Sequence, residues 1–151
     1  MNKLNLPSFN FNIKKSDGQS AIFDIIRKKY IVLTPEEWVR QHFIHYLINQ
    51  LGYSKPLISV ERGLKYNSLQ KRSDILVFAR DGSPLILVEC KAITIRLNQR
   101  VMDQAVMYNR TVAAKYIILT NGLEHSCLKV SHSEGKVDYL NSLPTFAEIG
   151  K

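Results

Sequence analysis

Cysteine is scarce in this chain: Cys90 and Cys127 are the only two among 151 residues. Two thiols cannot build a four-cysteine zinc site or a dense disulfide framework, so a reducing cytoplasm is the expected setting. Cys90 lies between Glu89 and Lys91 and should point to the apolar side of a strand, where a buried, inert thiol is ordinary. Long apolar runs are missing too. None approaches the roughly 20 residues that span a bilayer, so no membrane association is expected. The stretch from Met1 to Pro7 has neither an extended apolar core nor a small-residue cleavage site, so no signal peptide is expected. No G-x-x-x-x-G-K-[S/T] loop occurs, which leaves no ATP-driven motor within these residues. Repeats, low-complexity segments and linkers are equally absent.

Acidic residues are outnumbered, 13 against 21 lysines and arginines, for a formal net charge of +8. Such a balance favours a polyanionic partner through phosphate neutralisation and counterion release, and nucleic acid is the natural candidate. The basic residues are dispersed through Arg27-Lys28-Lys29, Arg62, Lys65, Lys71-Arg72, Arg96 and Arg100, without a dense tail. A plain solvated basic surface is the competing explanation. Hydrophobic content of 45% is enough for a proper core. We expect one globular domain over 1–151, with its core at about 20–122 and a C-terminal β extension over 123–151.

Phe9-Asn10-Phe11-Asn12-Ile13 alternates with period two and reads as a peripheral strand before the turn Ser16-Asp17-Gly18. Ala21 to Ile26 and Lys29 to Leu33 read as a hairpin or one continued strand. Thr34-Pro35-Glu36-Glu37 starts a helix, with Thr34 as N-cap, Pro35 in the first helical position and Glu37 completing a capping box. Val39, Phe43, Tyr46 and Leu47 continue it at helical spacing to about Leu51, and Gly52 stops it. Leu57 to Glu61 is the next strand, followed by a polar loop through Asn67-Ser68. Leu97 to about Thr111 is helical, and Tyr116 to Thr120 is a short apolar strand. The order β, α, β with strands apolar on both faces predicts a parallel, right-handed crossover. A late hairpin around Ser133-Glu134-Gly135 is the weakest signal. The fold class is α/β, a central mixed sheet flanked by helices.

The informative pair of strands is Arg72-Ser73-Asp74-Ile75-Leu76-Val77-Phe78 and Leu85-Ile86-Leu87-Val88-Glu89-Cys90-Lys91, joined through Asp81-Gly82. Asp-Gly is a strong hairpin signal. A turn centred there sets residues whose numbers sum to 163 opposite each other, Asp74 against Glu89 and Arg72 against Lys91. Alternation then gathers Asp74, Glu89 and Lys91 on one face. Opposed carboxylates repel, and a divalent cation with hard oxygen ligands, Mg2+ or Mn2+, would resolve the repulsion. For Asp74 the structural alternative is a strand-end residue capping a turn or pairing with Lys71 or Arg72. For Glu89 it is a salt bridge to Lys91, which would set charge on an otherwise apolar strand.

Asp74, then Glu89-Cys90-Lys91 after a hairpin, then Gln104-Ala105-Val106-Met107-Tyr108 on the next helix resembles the PD-(D/E)XK nuclease superfamily. With Thr34-Pro35-Glu36-Glu37-Trp38-Val39-Arg40-Gln41 ahead of it, the chain resembles more narrowly the N-terminal domain of type I restriction enzyme R subunits. Ser73 stands where the superfamily name implies proline. The resemblance implies a restriction-endonuclease-like core and a metal-dependent DNA endonuclease hydrolysing phosphodiesters. Asp74, Glu89 and the Cys90 backbone carbonyl would hold the metal, and Lys91 would orient the attacking water or stabilise developing charge. Glu37 would meet the metal directly or through water, with Glu36 as its competitor in register. Arg40 and Gln41, one turn on, could reach phosphate. Gln104 and Tyr108 share a helical face and would support the site or position DNA, against an amphipathic helix with Tyr108 in the core. His42 and His45 lack ligand partners nearby and fit packing roles, as do Trp38 and Tyr46. The resemblance also implies restriction-modification subunits as partners, with a homo-oligomer as one route to cutting two strands. The rival functions are a DNA-binding module that does not cut and a partner-docking module on the same fold. RNA as substrate and sequence preference are left open, since no base-reading cluster stands out.

Overall fold

The computed structural model describes the backbone of residues 1–66 and 69–151 and the side chains of 1–60 and 74–151. A three-stranded antiparallel meander comes first: β1 (Ile13–Ser16), β2 (Gln19–Asp24) and β3 (Lys29–Val32). Asp17 and Gly18 make its first turn with φ of 52° and 77°. β2 and β3 are a true hairpin, Ala21 pairing with Val32 and Asp24 with Lys29. The alternating Phe9 to Ile13 segment enters β1 only at its last residue. Phe9 and Phe11 instead pack their rings on His42 and His45, and Phe11 also meets Trp38. Aromatic burial on the helix outcompetes strand pairing here. Burial pulls both histidine pKa values below the ordinary value, and His42 Nδ1 lies 2.8 Å from the Trp38 carbonyl.

Helix α1 (Pro35–Asn49) starts as expected, with the Thr34 hydroxyl accepting from the Glu37 amide at 3.0 Å. The reciprocal half of the capping box does not form, because the Glu37 carboxylate turns inward to two guanidinium groups. Charge-assisted bonds to cations are the stronger use of a carboxylate. The helix ends at a Gln50 cap, and Gly52 (φ 82°) turns the chain away.

The main sheet is six-stranded, in sequence order β4 (Ile58–Tyr66), β5 (Leu69–Phe78), β6 (Pro84–Cys90), β7 (Tyr116–Thr120), β8 (His125–Ser131) and β9 (Lys136–Leu140). β4 runs past Glu61 to Tyr66, longer than its apolar stretch predicts, because β5 pairs with it along that length. The loop expected at Asn67-Ser68 lies outside the described residues. β6 and β7 are parallel, Val88 against Ile118 and Cys90 against Thr120, and helix α2 (Gln99–Val112) makes the crossover between them. The late hairpin of β8 and β9 extends the same sheet beyond β7. A short helix, α3 (Phe146–Ile149), closes the chain with a full capping box of Thr145 and Glu148.

Alternation along the central strands sorts the core into two layers. Ile75, Val77, Ile86, Val88, Cys90 and Ile118 pack under α1 with Val39, Phe43 and Ile44. Leu76 and Leu87 pack on the α2 side with Tyr108 and Val112. The N-terminal segment is tied to the sheet at Gly122, whose carbonyl accepts from Asn5 N at 2.7 Å. Gly122 has φ 87°, and a Cβ there would lie 2.8 Å from Leu4 Cδ2 and 3.1 Å from Val39 Cγ2. Gly122→Ala is therefore expected to destabilise by about 2 kcal/mol, from left-handed backbone and overpacking together. Thermal unfolding should show a midpoint lower by about 5 °C.

Candidate active site

The Asp81-Gly82 turn delivers the register that the sequence implies: Ile75 pairs with Val88, Leu76 with Leu87 and Val77 with Ile86. A register shift at Val77/Phe78 then confines the irregularity to the turn. The paired register ends at Ile75 and Val88, one residue short of Asp74 and Glu89. The Asp74 carboxylate reaches the main chain of β6, where Oδ2 accepts from Cys90 N at 2.7 Å. Lys91 N donates to the Thr120 carbonyl on β7 at 2.8 Å. Since N–H and C=O of a trans peptide point oppositely, the Cys90 carbonyl is turned away from β7, toward the Asp74 side. Glu89 and Lys91 pair at 3.4 Å, with the glutamate almost buried and the lysine more open. All of this lies at the carboxyl ends of the parallel strands β6 and β7, the usual place for a ligand in such sheets.

From the other layer, α1 sends a guanidinium. Arg40 donates through Nη2 to Asp74 Oδ1 at 2.7 Å and to Glu36 Oε2 at 3.1 Å, and through Nη1 to Glu37 Oε1. Its side chain is only 4% exposed. Burial opposes the charge, but the Asp74 and Glu37 carboxylates around it outweigh that and raise its pKa, so it is a permanent cation. The Cys90 thiol is pushed well above its ordinary pKa by burial first and then by Asp74, with Glu89 and Glu36 adding in the same direction. It is a packing residue under α1 and not a nucleophile.

Glu37 is also held from the side opposite Arg40. Its Oε2 accepts from Arg27 Nη2 at 2.9 Å and from Gln41 Nε2 at 2.8 Å. Gln41 Nε2 also donates to Asp24 Oδ2 at 2.8 Å, as does Arg27 Nε at 2.7 Å. Asp24 Oδ1 accepts the amides of Ile26 and Arg27, both at 2.8 Å, which fixes the β2–β3 turn. A continuous buried relay thus runs Asp24, Arg27, Glu37, Arg40, Asp74 and on to the Cys90 amide. Arg40 and Gln41, which the sequence places within possible reach of a phosphate, both bond carboxylates inside the fold. Gln104 is exposed on α2, whereas Tyr108 is buried against Leu76 and Leu87.

Asp24 and Arg27 escaped the sequence reading. Arg27 counted only as one charge of a basic run, and Asp24 ended an apolar strand. The one local signal is the spacing of Asp24 to Arg27, which suits an aspartate accepting the amide three residues on. Among the described residues no group of three or more His, Cys, Asp or Glu is arranged as a metal cage. What the site offers is two carboxylates, Asp74 and Glu89, beside a main-chain carbonyl. That donor set suits a hard cation that keeps several of its own waters.

The mixed sheet with helices on its faces is the restriction-endonuclease-like fold. A solved fragment of a protein described as an HsdR subunit of a type I restriction enzyme, from Vibrio vulnificus YJ016, superposes with a TM-score of 0.54 at 26% identity. The match covers 78% of this chain and 24% of that one, so the chain spans about a quarter of that relative. No curated protein matches. Residues 35–144 match the family model of the type I restriction enzyme R protein N terminus. The chain belongs to that family. Among the described residues, no helix is long and apolar enough to cross a membrane.

Proposed function

We propose that this chain is a metal-dependent DNA endonuclease domain, with Asp74, Glu89, Lys91 and Glu37 as its reactive centre. The observation that carries the reading is the meeting of the Asp74 carboxylate with the Cys90 main chain at the end of β6, beside the Glu89–Lys91 pair. Asp74, Glu89 and the Cys90 carbonyl would hold Mg2+ or Mn2+, which when bound polarises a phosphodiester and lowers the pKa of bound water. Lys91, more exposed than Glu89, orients the attacking water and offers positive charge to the phosphorane as it develops. From the helix side Arg40 fixes Asp74 and Glu37, and Gln41 fixes Glu37. Gln104, exposed on α2, is available to DNA; Tyr108 anchors α2 beneath the site.

The net charge of +8 supports a polyanionic substrate. Family membership supports action alongside restriction-modification subunits, in the cytoplasm where both DNA and a reducing environment are found. The test is incubation of the chain with supercoiled, linear and single-stranded DNA in the presence of Mg2+ or Mn2+. Metal-dependent nicking or linearisation, abolished by a chelator, is the expected result. DNA binding without cleavage in either metal would favour the non-cutting module on the same fold. Neither binding nor cleavage would point to partner docking instead.

A further inference from the structure

A carboxylate that is to hold a divalent ion has to be kept in place before the ion arrives. Asp74 is kept by two donors, one on each oxygen: the Cys90 amide on Oδ2 and Arg40 Nη2 on Oδ1. The two donors differ in kind. The amide belongs to the sheet and cannot leave. The guanidinium is a side chain, and the same Nη2 also reaches Glu36 Oε2 at 3.1 Å, whose carboxylate is 45% exposed. Meanwhile Nη1 stays on Glu37, which Arg27 and Gln41 hold from behind. Arg40 is thus anchored on Glu37 through Nη1, while its Nη2 is shared between Asp74 and Glu36.

We propose that Arg40 is the resident cation of the metal site: it neutralises Asp74 in the metal-free chain and yields Oδ1 when a divalent ion binds, while its existing bonds to Glu36 and Glu37 keep it charged and paired. The inference rests on the metal-site reading above and adds to it a competitor built into the protein. A monocation beside the same oxygen repels an incoming dication, so Arg40 sets the affinity low until substrate phosphate adds negative charge. Arg40 is a positioning residue, acting on the metal through Asp74 and not on the reacting atoms. Lysine would not serve, since one ammonium cannot hold Glu37 and release Asp74 through separate prongs.

The test is Mn2+ binding without DNA, read by electron paramagnetic resonance of the free ion, for wild type, Arg40→Gln and Asp74→Asn. Arg40→Gln should bind Mn2+ at least about tenfold more tightly than wild type, because a full positive charge has left the carboxylate's vicinity. Asp74→Asn should lose the site. Binding by Arg40→Gln equal to or weaker than wild type, with Asp74→Asn still defective, would overturn the resident-cation inference and leave the metal site standing. Undiminished binding by Asp74→Asn would take down the metal assignment and the inference with it. Should Arg40→Gln fail to fold, the wild-type chain answers by nuclear magnetic resonance. On Mg2+ saturation the Arg40 Nη2 protons should shift while those of Nη1, bonded to Glu37, hold their positions. Unmoved Nη2 signals at saturation would overturn the proposal.

Discussion

Replacing Asp74 by asparagine is expected to lower metal-dependent DNA cleavage by at least about a hundredfold while leaving the sheet intact. The amide oxygen of asparagine can still accept from Cys90 N, so the β5–β6 connection survives. What goes is the charge that both Arg40 and a divalent ion need at Oδ1. Lys91→Ala should reduce cleavage comparably, but for a different reason. Lys91 touches Glu89 and no other charged group described at the site, so its loss removes a positive charge without unpinning either carboxylate's backbone. Turnover measured with unfolding midpoints separates the two causes. Stability in Lys91→Ala should fall by no more than about 1 kcal/mol, as is usual for a partly exposed ion pair. Cleavage at wild-type rates in either variant would remove that residue from the reactive centre.

That much of the centre was readable because a two-residue period is strict. Once Asp81-Gly82 marks the turn, the pairs beyond it follow, and Ile75–Val88, Leu76–Leu87 and Val77–Ile86 obey the same sum, while Phe78–Pro84 beside the turn is shifted by one. The crossover between β6 and β7 was readable for a similar reason, since two strands apolar on both faces need helices or sheet on both sides. The relay behind the centre was not. Arg27 and Glu37 are ten residues apart, Arg40 and Asp74 thirty-four, and no local pattern links such partners. Glu37 shows the limit most clearly. Its position three after Thr34 is the capping-box position, and propensity alone assigns it to the helix end. Two buried guanidinium groups claim it instead, and only the packing of the β2–β3 turn against α1 brings one of them there.

The largest effect on stability is expected from Asp24→Ala. This carboxylate is fully buried and accepts four donors: the amides of Ile26 and Arg27, the Arg27 guanidinium and the Gln41 amide. Its removal takes a carboxylate partner from the half-buried Arg27 and from Gln41, and loosens the turn that carries Arg27 to Glu37. Breaking one partner out of such a network costs about 3–5 kcal/mol. For a chain of this length that lowers the melting midpoint by roughly 10 °C or more. The pH dependence gives a second, independent signature. Burial opposes the Asp24 charge, but the Arg27 amide, Gln41 and the Arg27 side chain outweigh it and hold the pKa below the ordinary carboxylate value. A folded pKa below the unfolded one means the contribution is complete above about pH 4 and is lost as pH falls through the folded value. Denaturant unfolding of wild type and Asp24→Asn at neutral pH and near pH 3 should therefore show a gap that narrows in acid. A gap that stays constant would mean the carboxylate's charge contributes nothing, and that Asp24 matters only through its shape and its two turn amides.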